Sequence, residues 1–445
     1  MTSNVSPTGL ARDLKARADS GKPVRIGLIG SGEMGTDIVT RCAMMDGVDV
    51  AAIADLNPEA ALRAVDIARG EGGHAAEATS TDALNATIES GKTAIAGDAG
   101  HIFESGLIDV VIDATGVPAV GAELGLAAME RGKHLVMMNV EADVTIGAYL
   151  KAEAARLGVV YSLGAGDEPS SCMELIEFAS AMGHKIVCAG KGKNNPLNID
   201  ATPDVYMAEA DERNMNARML VEFVDGSKTM VEMVAIANAT GLIPDRPGMH
   251  GPAAGPDMLS KVLIPKADGG VLEGPGRVDY SIGKGVSPGV FVVIEAEHPR
   301  VHERLRDLKM GDGPYFTLIR PYHLTSLEVP LTCARTVLYG KADMVPLDRP
   351  VAEVCAVAKR DLTPGETLDQ IGEYCYRAWA MEAGEARAAQ AIPCGLLTGC
   401  TVTQPIAKGA LITTANTAIP AGSKIAELRA RQDSMLGLSL EMADA

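Results

Sequence analysis

This 445-residue chain is poor in aromatic side chains, which make up 3% of it, with one Trp, nine Tyr and five Phe. Its core must therefore be filled by aliphatic side chains and by its 21 Met. Basic residues are in the minority: 40 Lys and Arg against 58 Asp and Glu give a net charge of −18. That deficit argues against broad binding to nucleic acid or to an anionic membrane surface, and it requires any anionic substrate to be held by a local cationic pocket. The 8 Cys include no C-x-x-C pair, so neither a zinc clip nor a disulfide frame is indicated, and reduced thiols in a cytoplasmic protein are expected. No apolar run is long enough for a transmembrane helix, and the first residues lack the apolar stretch of a signal peptide. At 47% hydrophobic and 22% charged, the chain has the make-up of a soluble protein with room for two or three domains.

Against these absences stands one dense signal. Residues 24–35 read Val-Arg-Ile-Gly-Leu-Ile-Gly-Ser-Gly-Glu-Met-Gly, a buried-strand pattern that runs into a glycine-rich turn and then a helix. Gly30 permits the turn, Gly32 lets a pyrophosphate approach the backbone, and Gly35 lets the helix lie close on its strand. Ser31, Glu33 and Met34 complete this turn, whose helix start offers unpaired N–H groups to phosphate. A second strand pattern, Val48–Ala54, ends in Asp55, placed to accept a ribose hydroxyl and so to favour NAD. Arg63, in the next helix, could instead pair with the extra phosphate of NADP. Asp109–Gly116 reads as a further strand whose end, Ala114-Thr115-Gly116, is placed near the nicotinamide half of such a cofactor. Strand patterns at His134–Asn139 and Val159–Ser162 flank a helix read at Gly147–Leu157.

This alternation predicts an α/β fold: a Rossmann-type doubly wound parallel sheet over residues 1–165. An α+β catalytic and dimerisation domain is expected over 166–345, and a small β-rich domain over 346–445. Residues 240–256 hold four Gly and four Pro, which suggests a lid or binding loop.

Candidate chemistry clusters in the middle segment. Lys191 and Lys193 leave one face of the chain if it is extended there, with Asn194 and Asn195 adjoining, a grip for phosphate or for a polarised carbonyl. A solvated basic turn explains the same spacing. Asp167 and Glu168, past a strand end, suit a divalent cation or proton transfer, or simple capping of the helix read at Ser170–Met182. Arg320 could clamp an acid and His323 could relay a proton, within Arg-Pro-Tyr-His. His250, Lys284 and Ser287 are weaker candidates of the same kind.

Ala-Gly-Lys-Gly-Lys-Asn-Asn195, Arg-Pro-Tyr-His-Leu324 and the tail segments Ala358–Leu368 and Pro405–Ile412 carry a family resemblance. The first domain looks like that of homoserine dehydrogenases, and the tail resembles a SAF-type module. Together they are similar, over essentially the whole chain, to the DRL family of reductoisomerase-like proteins acting on 1-deoxy-D-xylulose 5-phosphate. The resemblance implies a homodimer that uses NADPH, assisted by Mg²⁺ or Mn²⁺, to isomerise and reduce this phosphorylated sugar to 2-C-methyl-D-erythritol 4-phosphate. The lysine that homoserine dehydrogenases carry after the strand ending here at Asn139-Val-Glu141 is absent. The Asp-Ser-Glu metal motif of conventional reductoisomerases is absent too, so Asp167 and Glu168 are metal candidates on their own chemistry alone. A dehydrogenase of a small hydroxy acid or semialdehyde, without rearrangement, and a cofactor-sensing regulator are the alternatives.

Overall fold

The structure is a computed structural model describing residues 5–213 and 215–438. The chain forms two compact units, Met1–Asp143 with Tyr149–Asp167 and Leu324–Val345, and Val144–Ala148 with Glu168–His323 and Pro346–Ala445. The expected three segments thus group differently: residues 324–345 join the first unit, and the tail clusters with the middle of the chain.

In the first unit the apolar run Val24–Ile29 (β1) is buried almost throughout, as a central strand of a parallel sheet must be. The remaining strands are Val48–Ala54 (β2), Ala75–Glu77 (β3), Thr93–Ala96 (β4), Val110–Asp113 (β5), His134–Met137 (β6) and Tyr161–Leu163 (β7). They lie in the order β3-β4-β2-β1-β5-β6-β7, every pair parallel. The order reverses beside β1, and in doubly wound sheets ligands bind beyond the carboxyl ends at such a point. The helix Val329–Tyr339 packs Val329, Cys333 and Ala334 into the same core as Ile26, Leu28 and Ile112.

One helix here is longer than the sequence pattern implied. It spans Val140–Leu157, not Gly147–Leu157, because the Asn139 side chain caps it by accepting the Ala142 N–H at 3.2 Å. Ile146 departs from helical geometry, with φ −138°, and this break hid the first turns from a periodicity reading.

The second unit is built on a mixed sheet of Lys185–Gly192 (β8), Ile243–Pro244 (β9), Arg277–Ser281 (β10), Val290–Glu295 (β11) and Tyr315–Arg320 (β12). Their order is β12-β11-β8-β10-β9. Helices Glu168–Ala181 and Ser227–Thr240 pack against it. The latter helix is buried from Thr229 through Asn238 because it also packs on the tail's antiparallel ribbon, Ala352–Ala358 (β13) with Tyr376–Glu382 (β14). A helix covered on two sides has apolar residues all round and no amphipathic period. The short pair Thr401–Val402 (β15) and Thr417–Ala418 (β16) completes the strands. All eight cysteines are buried and free, and no described helix is long and apolar enough to cross a membrane.

Candidate functional site

The first unit presents a cradle at the end of β1. Gly30 adopts φ +94°, and a Cβ there would lie 2.8 Å from the Ala114 carbonyl oxygen. A Cβ on Gly35 would lie 2.2 Å from the Gly30 carbonyl oxygen, so only glycine lets the helix Glu33–Ala43 approach the turn this closely. Gly32 behaves oppositely: a Cβ there meets nothing within 4 Å, so its outer side is open. No side chain caps the helix start, and Gly32, Glu33 and Met34 are exposed. An open backbone concavity at an uncapped helix N-terminus fits a pyrophosphate.

Asp55 holds this loop in place. Its carboxylate accepts the Ser31 N–H at 2.7 Å and the Ser31 hydroxyl at 2.6 Å with one oxygen, and the Asn57 N–H at 2.8 Å with the other. Any ribose contact by Asp55 would be made in addition to these. Arg63 is exposed and lies 3.8 Å from Glu59. At the end of β5, Thr115 donates its N–H to Asp113 at 3.1 Å, and Gly116 is exposed with φ +66°. Burial holds the Asp113 carboxyl above the usual carboxylate range, against the hydrogen bonds from Thr115.

The second unit brings two of the predicted lysines together on β8 and just beyond it. Gly190 and Gly192 alternate with Lys191 and Lys193, and the glycines face backbone: a Cβ on Gly190 would lie 1.6 Å from the Asp279 carbonyl oxygen, and one on Gly192 2.2 Å from the Ser287 nitrogen. This alternation is what sends both lysines to one face. Both are buried, so a solvated basic turn does not describe them.

Lys191 lies between two carboxylates, Glu168 at 2.6 Å and Glu232. Burial alone would depress its pKa, but the two carboxylates outweigh burial and raise it. Among the described residues no carboxylate is in direct contact with Lys193; its ammonium donates to the carbonyls of Asn195 at 2.7 Å and Phe223 at 2.6 Å. Burial, helped by the neighbouring Lys191 charge, brings its pKa down to about 8. His323 Nδ1 lies 2.7 Å from the Pro288 carbonyl, so Nδ1 carries the proton, and Nε2 faces Glu168 at 3.5 Å. His323, Glu168, Lys191 and Glu232 therefore lie side by side as one cluster of acid–base groups.

The other predicted residues take different roles. Asn194 accepts the Ser287 hydroxyl at 2.9 Å. Arg320 pairs with Glu174 at 2.9 Å and stacks on Tyr322. Glu168 opens its helix, with Asp167 immediately before it as the last residue of a first-unit segment. Its carboxylate lies within 4.8 Å of that of Glu232, a spacing a divalent cation could use. The Lys191 ammonium already bridges these acids, however, and a cation would compete with it. His250 is bound by Asp245 at 2.8 Å, and Lys284 is exposed. Glu232 escaped the sequence reading; its signal is a lone acid within the apolar run Met230-Val-Glu-Met-Val-Ala-Ile236.

The first unit therefore has the build of a Rossmann-type nucleotide-binding domain, and the second gathers buried acid–base groups. Residues 166–329 match the family described as oxidoreductase DRL, catalytic domain. Among solved structures, a probable dehydrogenase from Thermotoga maritima is 16% identical, with 72% of this chain and 90% of that one covered and a TM-score of 0.40. The scyllo-inositol dehydrogenase from Lactobacillus casei, solved with NAD(H) and scyllo-inositol, is 13% identical over 72% and 91%, with a TM-score of 0.39. A DOX-P reductoisomerase solved with fosmidomycin and magnesium is 18% identical over 47% and 56%, with a TM-score of 0.33. No curated protein matches the chain. The catalytic-domain match, with the Rossmann-like sheet of the first unit, supports a DRL-type oxidoreductase.

Proposed function

We propose that this chain uses NADPH to reduce the carbonyl of a small phosphorylated sugar, its specific reaction being the isomerisation and reduction of 1-deoxy-D-xylulose 5-phosphate. The observation that carries the reading is Lys193, a buried ammonium with a pKa near 8 held by two backbone carbonyls. A nicotinamide cofactor, when bound, would supply hydride to a carbonyl carbon. Lys193 is placed in the role of general acid, giving its proton to the developing alkoxide. His323, Glu168, Lys191 and Glu232 hold the further protons that an enediol-forming step moves. The open face of Gly32 and the uncapped helix start bind the cofactor's phosphates, and Thr115 and Gly116 line its nicotinamide end. No step is assigned to a divalent cation, since Lys191 already bridges Glu168 and Glu232, two of the carboxylates such an ion would use.

That same occupation favours a second reading, a dehydrogenase of a hydroxy acid or semialdehyde that transfers hydride without rearrangement and needs no metal. Incubation with 1-deoxy-D-xylulose 5-phosphate and NADPH, with and without Mg²⁺, followed by product identification, decides between them. A branched tetrol phosphate forms only by carbon migration and is the expected product. NADPH loss yielding only an unbranched polyol phosphate would establish simple reduction instead.

A further inference from the structure

A cavity of about 200 Å³ in the second unit is walled by apolar side chains, among them Leu197, Met230 and Trp379, yet it also holds two arginines and a tyrosine. Arg377, on β14, is partly buried and stacks 4.6 Å above the Trp379 ring. Among the described residues its guanidinium has no hydrogen-bond or carboxylate partner. Arg246, from the Pro/Gly-rich loop, uses its Nε on the Met249 carbonyl at 2.9 Å and has no acid partner among the described residues. The Tyr280 side chain is 6% exposed, and its hydroxyl has no hydrogen-bond partner among the described residues. The acid lining the cavity, Asp225, is matched by Lys359 at 2.6 Å, with both side chains buried. The cavity is therefore cationic in a chain of net charge −18.

The cavity also adjoins the lysines. Tyr280 is the register partner of Lys191 on the neighbouring strand, and the Asp225 charge acts on both Lys193 and Arg377. Arg377 comes from the tail, the part of the chain with no role in the chemistry described so far.

We infer that this cavity binds the oxyanion end of the substrate, a phosphate or a carboxylate, through Arg377, Arg246 and Tyr280, which makes the C-terminal segment part of the substrate site. The inference deepens the proposed carbonyl reduction and rests on it for the word substrate. Arg377 is fixed by its stack on Trp379, so little freedom is lost when it pairs with an anion.

The chain's single tryptophan lies in the cavity wall, so its fluorescence reports on this site alone. The intact protein is titrated with inorganic phosphate and, separately, with malonate, at ionic strength held constant with chloride. A saturable change is expected with at least one anion. Arg377→Met and Arg246→Met should each weaken it about tenfold or more, the value of one charge-assisted hydrogen bond. Arg246 is exposed, so its replacement keeps the proposal testable even if the Arg377 variant misfolds. Tighter phosphate binding would mark a phosphate ester as the ligand, and tighter malonate binding an acid. No saturable response, an equal response to chloride, or binding undiminished in both variants would overturn the inference. Turnover plays no part in this titration. Anion binding without NADPH consumption would therefore count against the proposed reaction alone, and consumption without anion binding against this site alone.

Discussion

Two buried side chains, Lys193 and Asp143, have pKa values shifted toward neutrality. Lys193 must be protonated to act as an acid, so kcat/KM should fall as pH rises through about 8. Lys193→Met should reduce turnover at least about a hundredfold, within the range general acids supply, and remove that alkaline limb. Lys193→Arg, which keeps its charge to much higher pH, should shift the limb upward. A Met variant that still lost activity near pH 8 would remove Lys193 from this role. Asp143 is a stability group. Burial raises its pKa to about 6 although Tyr161 donates to it at 2.7 Å. The folded state then binds its proton more tightly than the unfolded chain, so the stability it confers is greatest at low pH. That stability is lost between about pH 4 and pH 6. Asp143→Asn keeps an acceptor for Tyr161 and should stabilise the protein at pH 7 by about 3 kcal/mol. Denaturant titrations across this window should show the advantage vanish at acid pH; a constant difference would locate the effect elsewhere.

At the scale of the elements, the glycines divide into those that admit backbone and those that leave room for a ligand. Gly190→Ala places a Cβ against the Asp279 carbonyl and should lower the denaturation midpoint sharply. Gly32→Ala meets nothing in the protein and should leave the midpoint unchanged while weakening NADPH binding, measured by titration calorimetry. Equal cofactor affinity in Gly32→Ala would argue against pyrophosphate at this turn. The cradle was legible in the sequence because its strand, turn and helix are consecutive and each glycine has a local reason. The lysine pair was legible for the same reason, through alternation within one strand. The second carboxylate beside Lys191 was not. Glu232 reaches Lys191 from a helix 41 residues further on, and that helix shows no periodicity because sheet and ribbon cover both its sides. The first turns of Val140–Leu157 were hidden in turn by the break at Ile146.

At the scale of the molecule, the tail is held to the rest of the second unit by buried charge. Lys359 pairs with Asp225 and donates to the carbonyls of Ala201 at 3.0 Å and Glu373 at 2.9 Å. Removing one member of such a pair leaves the other uncompensated, so Lys359→Met should cost about 3–5 kcal/mol in a denaturant titration. A cost below about 1 kcal/mol, the range of exposed pairs, would mean that water reaches Asp225. The two arginines of the inferred anion site, Arg246 and Arg377, come from segments more than a hundred residues apart, a juxtaposition that no local sequence pattern signals. The most direct measurement of the whole reading is isotope transfer from NADPH deuterated at the position it donates. With 1-deoxy-D-xylulose 5-phosphate as acceptor, deuterium should appear on carbon in the reduced product as NADPH is consumed. Tight binding of NADPH with the label retained, on this ketose phosphate and on hydroxy-acid or semialdehyde acceptors alike, would contradict hydride transfer and leave a cofactor sensor.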